Sequence, residues 1–294
     1  MSLSMPLPAA VIVSRLRAAG CVFAEEEAAV LQESARSAAE LAAMVAARAG
    51  GRPLEQVVGW ARFRGLRIIV DPGVFVPRRR SEFLVATAIA LARPGSSPVV
   101  ADVCCGTGAL GLAAATALAA AAGGAPGCPP ASGSGPGEDG AALRARGPTR
   151  GAAELHAADL DPAAVACARR NLEPAGGRVY QGDLLAPLPP GLRGRVTTLI
   201  CNAPYVPTGE IAFMPPEARD HEAPMALDGG GDGLAVLRRV AAQAPGWLAP
   251  GGTLLVETSE RQAPAMLAAM AAARLSGQVH EDEDSGATVI AGTR

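Results

Sequence analysis

Hydrophobic and polar positions change their period twice along this 294-residue chain. Up to about residue 60 the apolar positions follow a helical beat. Glu25, Glu26 and Glu27 place acid where a helix N-terminus favours it. Leu31, Ala35, Ala38, Leu41, Met44 and Val45 then recur at helical spacing until Gly50-Gly51 stops the run. From Arg62 to Val76 the pattern becomes strand-like, with Phe63, Leu66, Ile68 and Val70 as its apolar positions. Asp71-Pro72-Gly73 reads as the turn between two short strands.

After a helix over about 81–92, strands and helices take turns. Strands are expected over 99–103, 155–158, 178–181, 196–201 and 253–257, the last behind a turn at Pro250-Gly251-Gly252. Helices are expected over 109–122 and 162–171. Such alternation predicts an α/β fold with a parallel, doubly wound sheet. The end differs, because segments 278–281 and 288–291 flank Asp284-Ser285-Gly286 and predict a closing antiparallel hairpin. The resulting organisation is a small α-helical domain over 1–60, a hairpin linker over 61–80 and an α/β domain over 81–294. Within the last, residues 123–151 are rich in Gly, Pro, Ser and Ala with almost no apolar pattern, which predicts a disordered surface insert.

Composition narrows the function classes. A hydrophobic fraction of 49% indicates a globular protein, and a net charge of −2 argues against a long nucleic-acid track. The apolar stretch from Leu110 to Ala122 falls short of the roughly 20 residues that a bilayer crossing needs. No basic segment followed by an apolar core marks a signal peptide at the start. Six cysteines without a C-x-x-C pair read as reduced and mostly buried in a cytoplasmic protein, with no metal site.

The most informative stretch is Leu199-Ile200-Cys201-Asn202-Ala203-Pro204-Tyr205, an apolar run that ends in an amide, an Ala-Pro pair and an aromatic ring. At a strand exit it sets the Asn202 side-chain carbonyl beside the Ala203 main-chain carbonyl, with Pro204 for rigidity and Tyr205 as a wall. Two such acceptors hold both hydrogens of one NH2 group and aim its lone pair. A second constellation supplies the electrophile. Asp102-Val103-Cys104-Cys105-Gly106-Thr107-Gly108-Ala109-Leu110-Gly111 follows a strand and opens a helix. Gly106-x-Gly108-x-x-Gly111 alone fits a dinucleotide loop, so NAD is the rival ligand. Asp102, four residues before the first glycine, instead suits a cationic amino-acid tail such as that of S-adenosylmethionine. Asp159 ends the next strand, where it can accept from ribose hydroxyls. Asp183 ends the third and can accept from an adenine amine, with Leu184 against the ring. For each aspartate alone, a helix cap or turn role is an equal alternative.

In this order the pieces resemble the HemK/PrmC family of protein glutamine N(5)-methyltransferases over nearly the whole chain. Matching stretches include Arg52-Pro53-Leu54-Glu55-Gln56-Val57-Val58-Gly59 and Pro72-Gly73-Val74-Phe75-Val76-Pro77-Arg78. The most specific runs from Pro216 to Pro224 and continues through Ala226-Leu227-Asp228-Gly229-Gly230 to Asp232-Gly233-Leu234. The resemblance implies a helical domain, a hairpin and a class I S-adenosylmethionine-dependent methyltransferase fold. It further implies transfer to the Gln of a Gly-Gly-Gln loop in peptide chain release factors. Three positions depart from the family. Its Asn-Pro-Pro-Tyr is Asn202-Ala203-Pro204-Tyr205, its Pro-Arg-Pro-Glu-Thr-Glu is Pro77-Arg78-Arg79-Arg80-Ser81-Glu82, and Cys104 replaces the first glycine of the binding loop. Arg79 and Arg80 add positive charge at the expected mouth, suited to an acidic partner surface or simply solvated. Two other functions compatible with these residues are amino methylation of adenine in nucleic acid and cofactor binding without catalysis.

Overall fold

The central strands are buried on both faces and mostly apolar, as a parallel sheet between helix layers requires. Val99 to Val103 is buried at every position. The computed structural model describes residues 7–93, 97–122 and 153–294, so the expected insert over 123–151 lies outside the described residues. It begins with four helices, α1 (Ala9–Ala18), α2 (Ala24–Ser34), α3 (Ala38–Ala49) and α4 (Leu54–Val58). A hairpin of β1 (Trp60–Phe63) and β2 (Leu66–Ile69) follows, then α5 (Glu82–Ala90), β3 (Val99–Val103) and α6 (Ala109–Ala121). The chain continues through β4 (Glu154–Asp159), α7 (Pro162–Leu172), β5 (Arg178–Gln181) and β6 (Val196–Cys201). It ends with α8 (Pro216–His221), α9 (Ala235–Gln243), β7 (Leu248–Thr258), α10 (Ala263–Ala272), β8 (Ser276–Asp282) and β9 (Ala287–Thr293).

The main sheet has seven strands in the order β5-β4-β3-β6-β7-β9-β8. β3 pairs in parallel with β4 and β6, and β9 runs antiparallel to β7 and β8. This is the class I methyltransferase order, with the doubly wound sheet and closing hairpin that the strand pattern predicts. Side chains alternate between two apolar layers. Val100, Ile200 and Leu255 pack with α5, α6 and α7, whereas Ala101, Leu199 and Leu254 pack with α9 and α10. At β3 the chain reverses its direction of sheet growth, and the ends of β3 and β6 separate into a crevice. The register sets Val103 against Cys201, so Cys104 and Asn202 leave the sheet side by side.

Four local expectations need correction. The helical run from Leu31 to Val45 is two helices, because Ser37 caps α3 by accepting from the Glu40 amide at 3.1 Å, while the Glu40 carboxylate accepts from the Arg36 amide at 2.8 Å. The hairpin turn is Arg64-Gly65, with φ of 46° and 78°, and not Asp71-Pro72-Gly73, which lies beyond β2. A left-handed pair matches the strand twist, and an arginine in its first place hid it. Pro250-Gly251-Gly252 does not precede the strand but forms an irregularity within β7, where Gly251 donates to the Arg294 carbonyl at 3.0 Å. The helices α9 and α10, each bearing buried apolar residues, went unassigned in the sequence.

The helical segment is tied to the α/β part by the stretch that matched the family most closely. Gln56 donates to the Val74 and His221 carbonyls at 3.1 and 3.3 Å. Arg48 pairs with Glu27 at 2.6 Å and with Glu217 at 3.3 Å. Buried Glu222 accepts from the Val76 amide at 3.0 Å and from Arg78 at 2.6 Å. The loop after β6 closes by an equally tight contact at Gly233. This residue has φ of 78°, and a Cβ there would lie 2.2 Å from the Tyr205 carbonyl oxygen and 2.3 Å from Gln262 Nε2. Gly233→Ala is therefore expected to destabilise the protein by roughly 2–4 kcal/mol, combining left-handed strain with overpacking. Urea unfolding of the variant beside the wild type checks this; an unchanged midpoint would show that the loop yields freely.

Candidate active site

The crevice at the β3 and β6 ends gathers both sequence constellations. Asp102, on β3, is buried, and its Oδ2 accepts from the Gly111 amide of α6 at 2.8 Å. Burial pushes its carboxyl up to about 7, the Gly111 amide opposes this, and the Asp159 charge adds to it. A nearly uncompensated buried acid of this kind fits a cationic ligand. Cys104 follows with φ of 55°, a left-handed conformation that costs a non-glycine residue about 1–2 kcal/mol. Its thiol is raised well above the ordinary range by its hydrogen bond with Cys201 and by burial. Burial likewise raises Cys105, whose amide donates to the Ala158 carbonyl at 3.2 Å. Neither is a thiolate nucleophile.

The loop is held from behind. Asn171 of α7 accepts from the Ile69 amide at 2.8 Å and donates to the Ile69 and Thr107 carbonyls at 3.0 and 2.9 Å. Thr107 is buried, and at Gly108, with φ of 77°, a Cβ would stand 2.2 Å from Leu172 Cδ1. Asp159 accepts from the Gly106 amide at 2.8 Å through Oδ2 and from the Asp161 amide at 2.9 Å through Oδ1. Burial raises its carboxyl against these hydrogen bonds and a further one from the Leu160 amide. A carboxylate has about four acceptor positions, so it can still accept from a ligand. Asp183 and Leu184 follow β5. Asp183 is half-exposed and ion-paired with Arg239, and Leu184 is buried in the core.

Asn202 to Tyr205 leave β6 beside this loop. Asn202 Nδ2 donates to Ser81 Oγ at 3.1 Å and to Glu257 Oε2 at 3.5 Å. Ala203 is buried, and Pro204 and Tyr205 are half-buried. The Tyr205 hydroxyl donates to Glu257 Oε1 at 2.9 Å, and burial with the nearby Glu257 charge raises its pKa. Its carbonyl accepts from Gln262 Nε2 at 2.9 Å. Gln262 also donates to the Asp232 carbonyl at 2.9 Å and accepts from the Ser259 amide and the Thr258 hydroxyl. Arg80 keeps a half-exposed side chain but is engaged within the site. Its Nε meets Glu257 Oε1 at 3.1 Å, and it donates to the Tyr205 hydroxyl while its guanidinium lies 5.7 Å from the ring centre. A cavity of about 390 Å³ opens beside this group, bordered by Arg80, Tyr205, Glu257, Glu260, Glu281 and Asp282.

Ser81, Glu257 and Gln262 were not found by sequence reasoning. Glu257 carried a usable signal, because Leu254-Leu255-Val256-Glu257 ends an apolar strand in a polar group just as Leu199 to Asn202 does. Ser259 and Gln262 carried one too, the spacing of a capping box.

Similarity to known proteins accords with this geometry. A family model described as UPF0020: RMKL-like, methyltransferase domain, matches residues 81–208. A release factor glutamine methyltransferase of Streptomyces coelicolor is 34% identical, covering 74% of this chain and 67% of its own length. Another, of Deinococcus radiodurans, is 33% identical over 80% of this chain and 72% of its own length. The chain belongs to the release factor glutamine methyltransferase family. A further relative at 33% identity is the 4-amino-L-phenylalanine/4-methylamino-L-phenylalanine methyltransferase of Streptomyces pristinaespiralis, matched over 71% of this chain and 62% of its own length. The chain spans about two thirds of the length of these relatives. Family members are methyltransferases, and in this chain the glycine loop and the Asn202 motif share the crevice at the ends of β3 and β6. Among the described residues no helix is long and apolar enough to cross a membrane, and no group of ligating side chains could hold a metal ion.

The raised Asp102 carboxyl yields a signed expectation. Its ordinary value is near 4, so between about pH 4 and 7 the folded chain binds more protons than the unfolded one. The stability from protonated Asp102 is present below about pH 4 and is lost as pH rises through about 7, by about 4 kcal/mol at most. Asp102→Asn should flatten this fall. Urea midpoints of both proteins at pH 4, 5.5 and 7 check it, and parallel pH profiles would contradict it.

Proposed function

We propose that this chain transfers a methyl group from S-adenosylmethionine to the side-chain amide nitrogen of a glutamine in a protein, with peptide chain release factor as the acceptor. The observation that carries the reading is the place of Asn202 and Ala203, beside the glycine loop at the crevice of the sheet. Family membership and the names of the relatives support the acceptor. The loop suits the cofactor. Asp102 would ionise against its ammonium, Asp159 would accept from the ribose, and Cys104 to Gly108 would border the amino-acid tail. Asp183 and Leu184 would stand at the adenine end once the Arg239 pair gives way. The cofactor supplies an electrophilic methyl on a sulfonium.

The chain's own residues do the rest by positioning. Asn202 Oδ1 and the Ala203 carbonyl accept the two amide hydrogens, Pro204 stiffens the exit, and the Tyr205 ring walls the acceptor side chain. Holding reactants in this way can contribute roughly 7–11 kcal/mol to lowering the barrier. No group nearby is needed as a strong base, since the amide proton can leave after transfer. In this reading the helical domain over 1–60 and the hairpin segment to residue 80 grip the acceptor protein.

Incubation with methyl-labelled cofactor tests the proposal. Label is expected in wild-type release factor, and neither in its Gln→Glu loop variant nor in an adenine-containing oligonucleotide nor in free 4-amino-L-phenylalanine. Asn202→Ala should lower turnover on the order of 10²–10³-fold, by analogy with a lost oxyanion donor, with cofactor affinity unchanged in calorimetry. Label only in the oligonucleotide or the aromatic amine would overturn the glutamine reading. Equal turnover in the variant would remove Asn202 from the reaction.

A further inference from the structure

We infer that Glu257 is a positioning residue that decides which end of the Asn202 amide faces the methyl acceptor. A carboxamide has nearly the same shape when its oxygen and nitrogen are exchanged, so packing alone does not choose between the two orientations. Only one of them serves transfer to an NH2 group, because the exposed end must accept. Ser81 does not decide, since a hydroxyl can donate or accept. Glu257 does. An ionised carboxylate is an acceptor only, so an Asn202 oxygen turned toward it would set two acceptors against each other. Asn202 Nδ2 therefore takes that side, 3.5 Å from Oε2 and 3.1 Å from Ser81, and Oδ1 is left for the acceptor nitrogen.

Sheet register builds this in. Cys201 lies opposite Val256, so Asn202, the first residue past β6, comes beside Glu257, which is still within β7. Glu257 shares its face with Leu255, the face packed by α5, and Ser81 stands where α5 begins. The carboxylate is 2% exposed, so it needs a countercharge. Arg80 supplies it at 3.1 Å, and with the Tyr205 hydroxyl it occupies Oε1, leaving Oε2 for Asn202. The family carries an acid at position 80. In this chain the arginine therefore neutralises Glu257 and anchors the Tyr205 wall, which assigns a task to the departure at Arg80.

The inference rests on the proposed amide transfer for its kinetic arm only. The full chain, labelled with 15N, is examined by NMR at the Asn202 side-chain NH2, identified by its loss in Asn202→Asp. Two well-separated protons that exchange slowly with water are expected in the wild type, and a pair exchanging as fast as surface amides would overturn the inference without any variant. Glu257→Gln keeps the shape but can present its own NH2, so the Asn202 signals should shift and exchange faster. Turnover should fall by about 10–100-fold with KM and cofactor affinity held within about threefold, the split expected when transition-state alignment is lost. Arg80→Lys, which retains the countercharge on Glu257, should keep the slow Asn202 signals. Loss of those signals in Arg80→Lys as in Glu257→Gln would assign the effect to packing and overturn the inference, as would unaltered signals in Glu257→Gln. If the wild type labels no release factor, the proposed function falls while the NMR arm still decides this point.

Discussion

The pairing of β3 with β6, Val103 against Cys201, is the constraint on which the site depends. The sheet grows in opposite directions from these two strands, so no crossover helix covers the gap at their ends. A glycine loop on one strand and an amide on its neighbour then lie within a few ångströms without any further device. Shifting that register by one residue would turn Asp102 or Asn202 to the other helix layer. The apolar layers prevent this, because Val100 and Ile200 face α5 to α7 while Ala101 and Leu199 face α9 and α10.

Around this crevice the loops are held mainly by polar groups buried with their partners. Gln262 secures the Tyr205 and Asp232 carbonyls, Asn171 secures Thr107 and Ile69, and Glu222 secures Val76 and Arg78. Each joins segments distant in sequence. A buried amide or carboxylate that loses a partner carries a desolvation cost of about 1–3 kcal/mol, which makes such joints specific as well as firm. Tyr205 shows the result, since its carbonyl, hydroxyl and ring are each engaged by a different element.

The departures from the family pattern are absorbed in different ways. Cys104 takes up the left-handed backbone that a glycine would adopt without strain, and its thiol settles against Cys201. Arg80 reverses a charge at the mouth, yet it meets the buried Glu257 there. Ser81 keeps the hydroxyl of the threonine it replaces and places it 3.1 Å from Asn202. The motif residues are thus held in an altered electrostatic setting.

Local pattern by itself determined most of the frame. Short, mostly apolar runs such as Val99 to Val103, with Asp102 near the end, read as strands covered on both faces, and polar residues at their ends marked the ligand side of the sheet. Asn202 to Tyr205 and Asp102 to Gly108 were legible because each is a short stretch whose chemistry depends on its own spacing. Turns were less so, as Arg64-Gly65 shows, where an arginine in the left-handed place masked the backbone preference. What tertiary structure alone decided were the partners across strands: Glu257 and Ser81 behind Asn202, Arg80 on Glu257, Arg239 on Asp183. Residues 121 and 55 positions apart leave no mark of periodicity on the chain, because hydrogen bonds between them are set by sheet register and helix placement, which exist only once the core has packed.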